Sequence, residues 1–188
     1  NKIRTKDGLE WLTVPIKNKN LREQKIYETI IDINSLENEK ILSKIQHNYS
    51  KAKYFKDYWP EFKVIFSNSL NNSKLIELNT KLISWFLTKL KINKQCHLSS
   101  SFNILGKKSM KLINICKLLK SEEYVSTIGA SNYIKNYGEL FKKNNIQVYF
   151  HNYIHPEYKQ CSEPFIPYAS ILDLLFNEGV NSLYKLKS

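Results

Sequence analysis

The chain has 188 residues and a mass of 22.2 kDa, the size of about one folded domain. Apolar residues make up 42% and aromatics 13%, with five glycines and five prolines, which excludes disordered, fibrous and linker-like classes. The formal net charge is +12, from 29 Lys and Arg against 17 Asp and Glu, and it calls for an anionic partner such as nucleic acid, a nucleotide-linked substrate or a membrane surface. Against that, Arg4 and Arg22 are the two arginines. Nucleic-acid readers lean on arginine for bidentate contacts, and a Lys-, Asn- and Ile-rich chain is also what an AT-rich genome supplies without selection for binding.

Cys96, Cys116 and Cys161 are odd in number and far apart, so they build no disulfide framework and suit a reducing, cytoplasmic compartment. No stretch approaches the roughly 20 apolar residues of a membrane span. The charged start, Asn1 to Gly8, has no apolar run behind it and does not read as a signal peptide. It also lacks an initiator Met.

Lys6-Asp7-Gly8 is a hairpin signal between strands at 2–6 and 10–16, and Pro15 marks the second as an edge or an ending strand. A polar loop from Lys17 to Glu23 leads to Ile26, Ile30, Ile31 and Ile33, a further strand-like run. The period then changes. Leu36, Ile41, Leu42 and Ile45 predict a helix over about 36–48, and Phe62, Ile65, Phe66 and Leu70 another after Tyr54 and Trp59. Ser73 caps a third, carrying Leu75, Leu78, Leu82, Trp85, Phe86 and Leu90.

The second half alternates: a short strand at 95–98, a helix from Lys107 to Leu119, a strand at Tyr124–Ser126, a helical stretch from Tyr133 to Lys143 and a strand at Ile146–Phe150. A last helix runs from Ala169 to Asn177 and stops at Glu178-Gly179. The fold class expected is α/β, a parallel or mixed sheet with helices on both faces and an N-terminal β-hairpin, as one domain over 1–188. Ligands of such sheets sit at the carboxyl ends of the strands.

Gly106-Lys107-Lys108-Ser109 is not a P-loop, because Ser101 stands where the first Gly belongs and an extra Lys separates Lys107 from Ser109. What remains is a helix start where Lys107 and Ser109 hold an anion, against the alternative of a plain solvated start. His151 and His155 are four apart, but a strand precedes them and Pro156 follows, so helical metal geometry is not expected. Neither a metal nor a cofactor is called for. Cys116 and Cys96 read as small buried apolar residues, and Cys161 as the cysteine at the surface.

The richest segment is 147–177, where His155, Tyr158, Gln160, Tyr168 and Asp173 gather in a loop pinned by Pro156, Pro164 and Pro167. Such a loop suits substrate positioning, with His155 as general base and Asp173 orienting it. The plain alternative is a rigid structural loop with a capped helix.

Several strings carry a resemblance. They are Asn1-Lys2-Ile3-Arg4-Thr5 with Trp11-Leu12-Thr13-Val14-Pro15-Ile16, Asn48-Tyr49 with Ala52-Lys53-Tyr54-Phe55 and Tyr58-Trp59-Pro60, and Gly106 to Ser109 with Cys116-Lys117. The C-terminal ones are His155-Pro156-Glu157-Tyr158-Lys159-Gln160 and, most specific, Phe165 through Gly179. In this order and nearly end to end, the chain resembles the WbqC-like family. It departs from the family's pattern in starting inside the first motif, without a preceding His-Gln-Pro segment. If that segment's histidine is catalytic in the family, the site in this chain is incomplete.

The resemblance implies a cytoplasmic transferase of surface-polysaccharide (O-antigen, lipopolysaccharide) biosynthesis. It would modify the amine of a nucleotide-linked amino sugar by aminoacyl (for instance glycyl) or acyl transfer. The substrate's pyrophosphate would then meet Lys2, Arg4, Lys17, Lys107 and Ser109, with Tyr49, Tyr158, Gln160 and Tyr168 completing the site. An aminoacyl-tRNA donor would give the basic charge a second use. The competing classes are a Lys-rich nucleic-acid-binding module and a non-catalytic scaffold.

Overall fold

The computed structural model describes residues 1–17, 24–71, 74–131 and 138–187, which fall into two compact units, residues 1–94 with 155–188 and residues 95–154. Arg22, the Ser73 cap and the start of the Tyr133 helix lie outside the described residues.

The first unit opens on the expected hairpin. Strands β1 (Lys2–Thr5) and β2 (Gly8–Trp11) pair antiparallel in the register Lys2↔Trp11 to Thr5↔Gly8, and Gly8 at φ 132 makes the turn that residues with a Cβ rarely adopt. The isoleucine run after it is not a strand. Ile26 and Ile33 are exposed and only Ile31 of the four is fully buried, so the segment forms a 3₁₀ turn at Ile26–Glu28 and then single bridges, Ile16 to Ile31 and Ile30 to Lys74.

Helices α1 (Glu37–Tyr49), α2 (Phe55–Asn71) and α3 (Leu75–Lys89) follow. On α1 the four-residue spacing of Ile41, Ile45 and Tyr49 puts all three on one buried face. Phe55, Trp59, Phe62 and Phe66 form a ladder along α2 with centroids 5.1, 6.1 and 5.9 Å apart, and Trp85 of α3 packs on Phe62 at 5.5 Å. Pro60 lies inside α2, where its ring cannot supply the amide hydrogen due to the carbonyl of Lys56.

The unit closes with α6 (Ile171–Glu178), a 3₁₀ turn and α7 (Ser182–Lys187). Five successive residues of α6, Leu172 to Phe176, are buried, so this helix is the hub of the core rather than a surface helix. Phe176 meets Tyr49 at 5.4 Å and Phe55 at 5.1 Å.

The second unit holds α4 (Lys108–Leu118), β3 (Glu123–Thr127), α5 (Gly138–Lys143) and β4 (Gln147–His151). The strands pair in parallel from Glu123↔Gln147 to Thr127↔His151, so the class is mixed α/β with an antiparallel hairpin and a parallel pair. Ile113 and Cys116 of α4 and Phe141 of α5 cluster with Tyr124, Val148 and Phe150, while Val125 and Tyr149 of the alternate positions are exposed. The strand expected at 95–98 is absent. Gln95 to Leu98 are all exposed and form no strand pairing among the described residues.

Candidate functional site

Asp173 is the centre of the first unit's polar chemistry. It is fully buried, yet it sits on α6 between Leu172 and Leu174 because three donors from other segments converge on it. Tyr49 Oη donates to Oδ1 at 2.7 Å, Tyr158 Oη to Oδ2 at 2.7 Å and Gln160 Nε2 to Oδ2 at 3.0 Å. A buried carboxylate is tolerated only when its lone pairs are met in this way. Tyr49 Oη also accepts the Arg4 backbone N–H at 2.8 Å, which ties β1 to the same group. Burial and then the Asp173 charge push the Tyr49 phenol far above its ordinary pKa, so it stays a donor.

Gln160 is fully engaged. Its Nε2 also donates to the Ile166 carbonyl at 3.1 Å and its Oε1 accepts the Ile166 N–H at 2.9 Å, which closes the loop between the two residues. Arg4, expected on a phosphate, is 1% exposed instead. Its guanidinium donates to the carbonyls of Thr5, Ser162 and Pro164 and staples β1 to that loop.

His155 is half-buried, with its ring 5.8 Å from Tyr158, 5.8 Å from Phe165 and 5.4 Å from Tyr168. Its Nδ1 lies 3.0 Å from the Pro156 carbonyl oxygen. A carbonyl only accepts, so Nδ1 carries the proton and Nε2 is the basic nitrogen of the neutral ring. His155 and Asp173 meet through Tyr158, which touches the imidazole with its ring and the carboxylate with its hydroxyl. Tyr168 is 60% exposed and holds a left-handed backbone at φ 68.

Lys2 sits over the exposed Trp11 ring at 4.5 Å, and Lys17 is an exposed residue held by its backbone to Ile30. Lys107 and Ser109 belong to the second unit. Ser109 is 1% exposed, with its hydroxyl unpartnered among the described residues, so the start of α4 does not present it to a surface anion.

A cavity of about 470 Å³ opens beside the network. Its floor is Gln160, Cys161 and Asn177, and Lys51, Lys53 and Lys159 line it with Tyr54 and Glu178. Asn177 is fixed in place, donating to the Asp173 carbonyl at 2.8 Å and accepting from the Cys161 thiol at 3.5 Å. Burial, with the Asp173 charge second, pushes Cys161 up to about 11, so it is a thiol at neutral pH and not a ready nucleophile. Cys161 is half-buried and Cys116 buried, while Cys96, expected inside, is exposed in the strandless segment.

The three lysines were not singled out in the sequence. Their signal was there: Lys51 and Lys53 directly follow α1, and Lys159 adjoins Gln160. Among the described residues, no group of His, Cys, Asp and Glu is placed to hold a metal ion, and no helix is long and apolar enough to cross a membrane.

The WbqC-like protein family matches residues 1–185. A Mycobacterium tuberculosis protein, Uncharacterized protein Rv1507c, is 32% identical over 183 residues, covering 97% of this chain and 78% of its own length. No solved structure matches. The family suggests a role in surface-polysaccharide biosynthesis. On the extent of that match and of the mycobacterial similarity, the chain belongs to the WbqC-like family.

Proposed function

We propose that this chain is a transferase that modifies the amine of a nucleotide-linked amino sugar, by aminoacyl or acyl transfer, during surface-polysaccharide assembly. The observation that carries the reading is the lysine-lined cavity whose floor, Gln160, is hydrogen-bonded into the buried Asp173 network. Lysine ammonium groups are compact cations that suit the diphosphate of a sugar nucleotide.

His155 supplies the base. It stands four residues before Lys159, within about 14 Å along an extended chain, and its basic Nε2 follows from the Nδ1 contact with Pro156. In the step, Nε2 takes one proton from the sugar ammonium, and the amine nitrogen attacks the donor's carbonyl carbon. The new C–N bond forms, the donor's ester or thioester bond breaks, and a second amine proton leaves with the departing oxygen or sulfur. Asp173 touches none of these atoms. It is a positioning residue that holds Tyr158 and Gln160.

The test is product mass. Purified protein, a dTDP-linked 4-amino sugar and glycyl-tRNA are expected to yield the nucleotide sugar heavier by one glycyl unit, and His155→Gln is expected to abolish the gain. No gain with glycyl-tRNA, acyl-CoA or an aminoacyl adenylate would overturn the proposal.

A further inference from the structure

The geometry points to Glu178 as the residue that recognises the amine of the ligand in the lysine-lined cavity. This inference rests on the transferase reading and adds how the site tells an amino sugar from an ordinary one.

Glu178 is the one acidic residue lining a cavity that also holds Lys51, Lys53 and Lys159. None of the salt bridges among the described residues joins Glu178 to these lysines. In a chain of net charge +12, a carboxylate set among three cations without an ion pair to any of them is costly for a purely anionic ligand, which it repels. It is favourable for a ligand that brings its own cation along with its phosphates.

The surroundings agree. Glu178 is the last residue of α6, where the negative end of the helix dipole favours a cation. Its neighbour Gly179 takes φ 56, and the Tyr54 ring packs directly on that glycine, so the turn presenting Glu178 is backed by an aromatic wall. Asn177 on the other side is already held by Asp173 and Cys161. The cavity therefore offers lysines for phosphate and the Glu178 carboxylate for ammonium. That combination matches a nucleoside diphosphate carrying an amino sugar.

Calorimetry on the full chain with UDP-glucosamine and UDP-glucose, without any donor, tests this directly, because the two ligands differ in one amine. The protein is expected to bind UDP-glucosamine about tenfold more tightly, as one charged hydrogen bond would give. Glu178→Gln is expected to bring the ratio close to one while leaving UDP-glucose binding equal or tighter. Lys159→Gln is expected to weaken both ligands alike, and circular dichroism checks that each variant is folded. The preference should also fade as rising pH deprotonates the sugar amine.

Equal affinity for the two nucleotides, or a ratio unmoved by Glu178→Gln, would overturn the inference. Acyl transfer that proceeds with an unmoved ratio removes Glu178 and leaves the transferase reading standing. A ratio that depends on Glu178 without transfer to any amine does the reverse.

Discussion

Tyr49→Phe removes a single oxygen from the centre of the first unit. That oxygen donates to Asp173 at 2.7 Å and accepts the Arg4 N–H at 2.8 Å, and both Tyr49 and Asp173 are fully buried. The variant therefore leaves a backbone donor and one lone pair of a carboxylate without partners, away from water. Each unsatisfied buried group costs roughly 1–3 kcal/mol, more where it is charged. The variant no longer pays to desolvate the hydroxyl, which offsets part of this, and the expected net loss is about 2–4 kcal/mol. Against a total stability of about 5–15 kcal/mol this is large. For a chain of this length it lowers Tm by roughly 5–15 °C. Urea unfolding followed by tryptophan fluorescence reads it, since Trp59 and Trp85 report on the same core. The midpoint should fall at unchanged slope. A double-mutant cycle with Asp173→Asn should show coupling above about 1 kcal/mol. A loss below about 0.5 kcal/mol, or additive losses, would refute the view that the network holds β1, α1 and α6 together.

Gly179→Ala forces a Cβ to within 2.6 Å of the Tyr54 ring at a left-handed φ, and is expected to cost about 2–5 kcal/mol in thermal unfolding and to weaken UDP-glucosamine binding. Iodoacetamide at neutral pH, mapped by peptide mass, is expected to label the exposed Cys96 and spare Cys161 and Cys116, both raised by burial; equal labelling rates would contradict this. Because Cys161 titrates higher when folded, its contribution to stability is complete below the ordinary thiol value of 9.0 and is lost as pH rises toward about 11. Urea midpoints across that range should fall less steeply in Cys161→Ala. Finally, duplex DNA affinity that falls by orders of magnitude between low and physiological salt, with no sugar-nucleotide binding, would favour the nucleic-acid-binding alternative.

The elements were legible where burial follows a simple period. The Asp-Gly turn, the helical spacing of Ile41 and Ile45, the strand at Val148 and the stop at Gly179 all stand close to where pattern alone put them. Apolar content at 95–98 and at Ile26 to Ile33 points to strands, yet no ladder forms at either, only single bridges at Ile30 and Ile31. The polar cluster was legible only as a set of residue types. Tyr49 and Asp173 are 124 positions apart, and nothing local in the chain announces that a tyrosine at the end of one amphipathic helix caps a carboxylate inside another. The same blindness assigned Arg4 to phosphate. Its charge was visible, but not the three carbonyls that enclose it.

The segment from Glu157 to Gln160 shows how one short stretch serves both halves of the site. Burial alternates along it: Glu157 and Lys159 are exposed, while Tyr158 and Gln160 are buried against Asp173. The alternation puts Tyr158 and Gln160 on the buried side and Lys159 on the solvent side. Whatever fixes Tyr158 and Gln160 therefore also holds the backbone of Lys159, which lines the same cavity as Gln160. A lysine on a free loop loses rotamer and backbone freedom when it holds a phosphate. Here the backbone share of that loss is already met by the two hydrogen bonds that Tyr158 and Gln160 make to a buried carboxylate. Tyr158 and Gln160, expected to contact substrate, also hold the residue between them. It follows that Asp173→Asn should weaken nucleotide binding even though Asp173 has no exposed surface, and should do so to the same degree for UDP-glucose and UDP-glucosamine. Unchanged affinity in a folded Asp173→Asn variant would show that Lys159 is positioned by something other than this network.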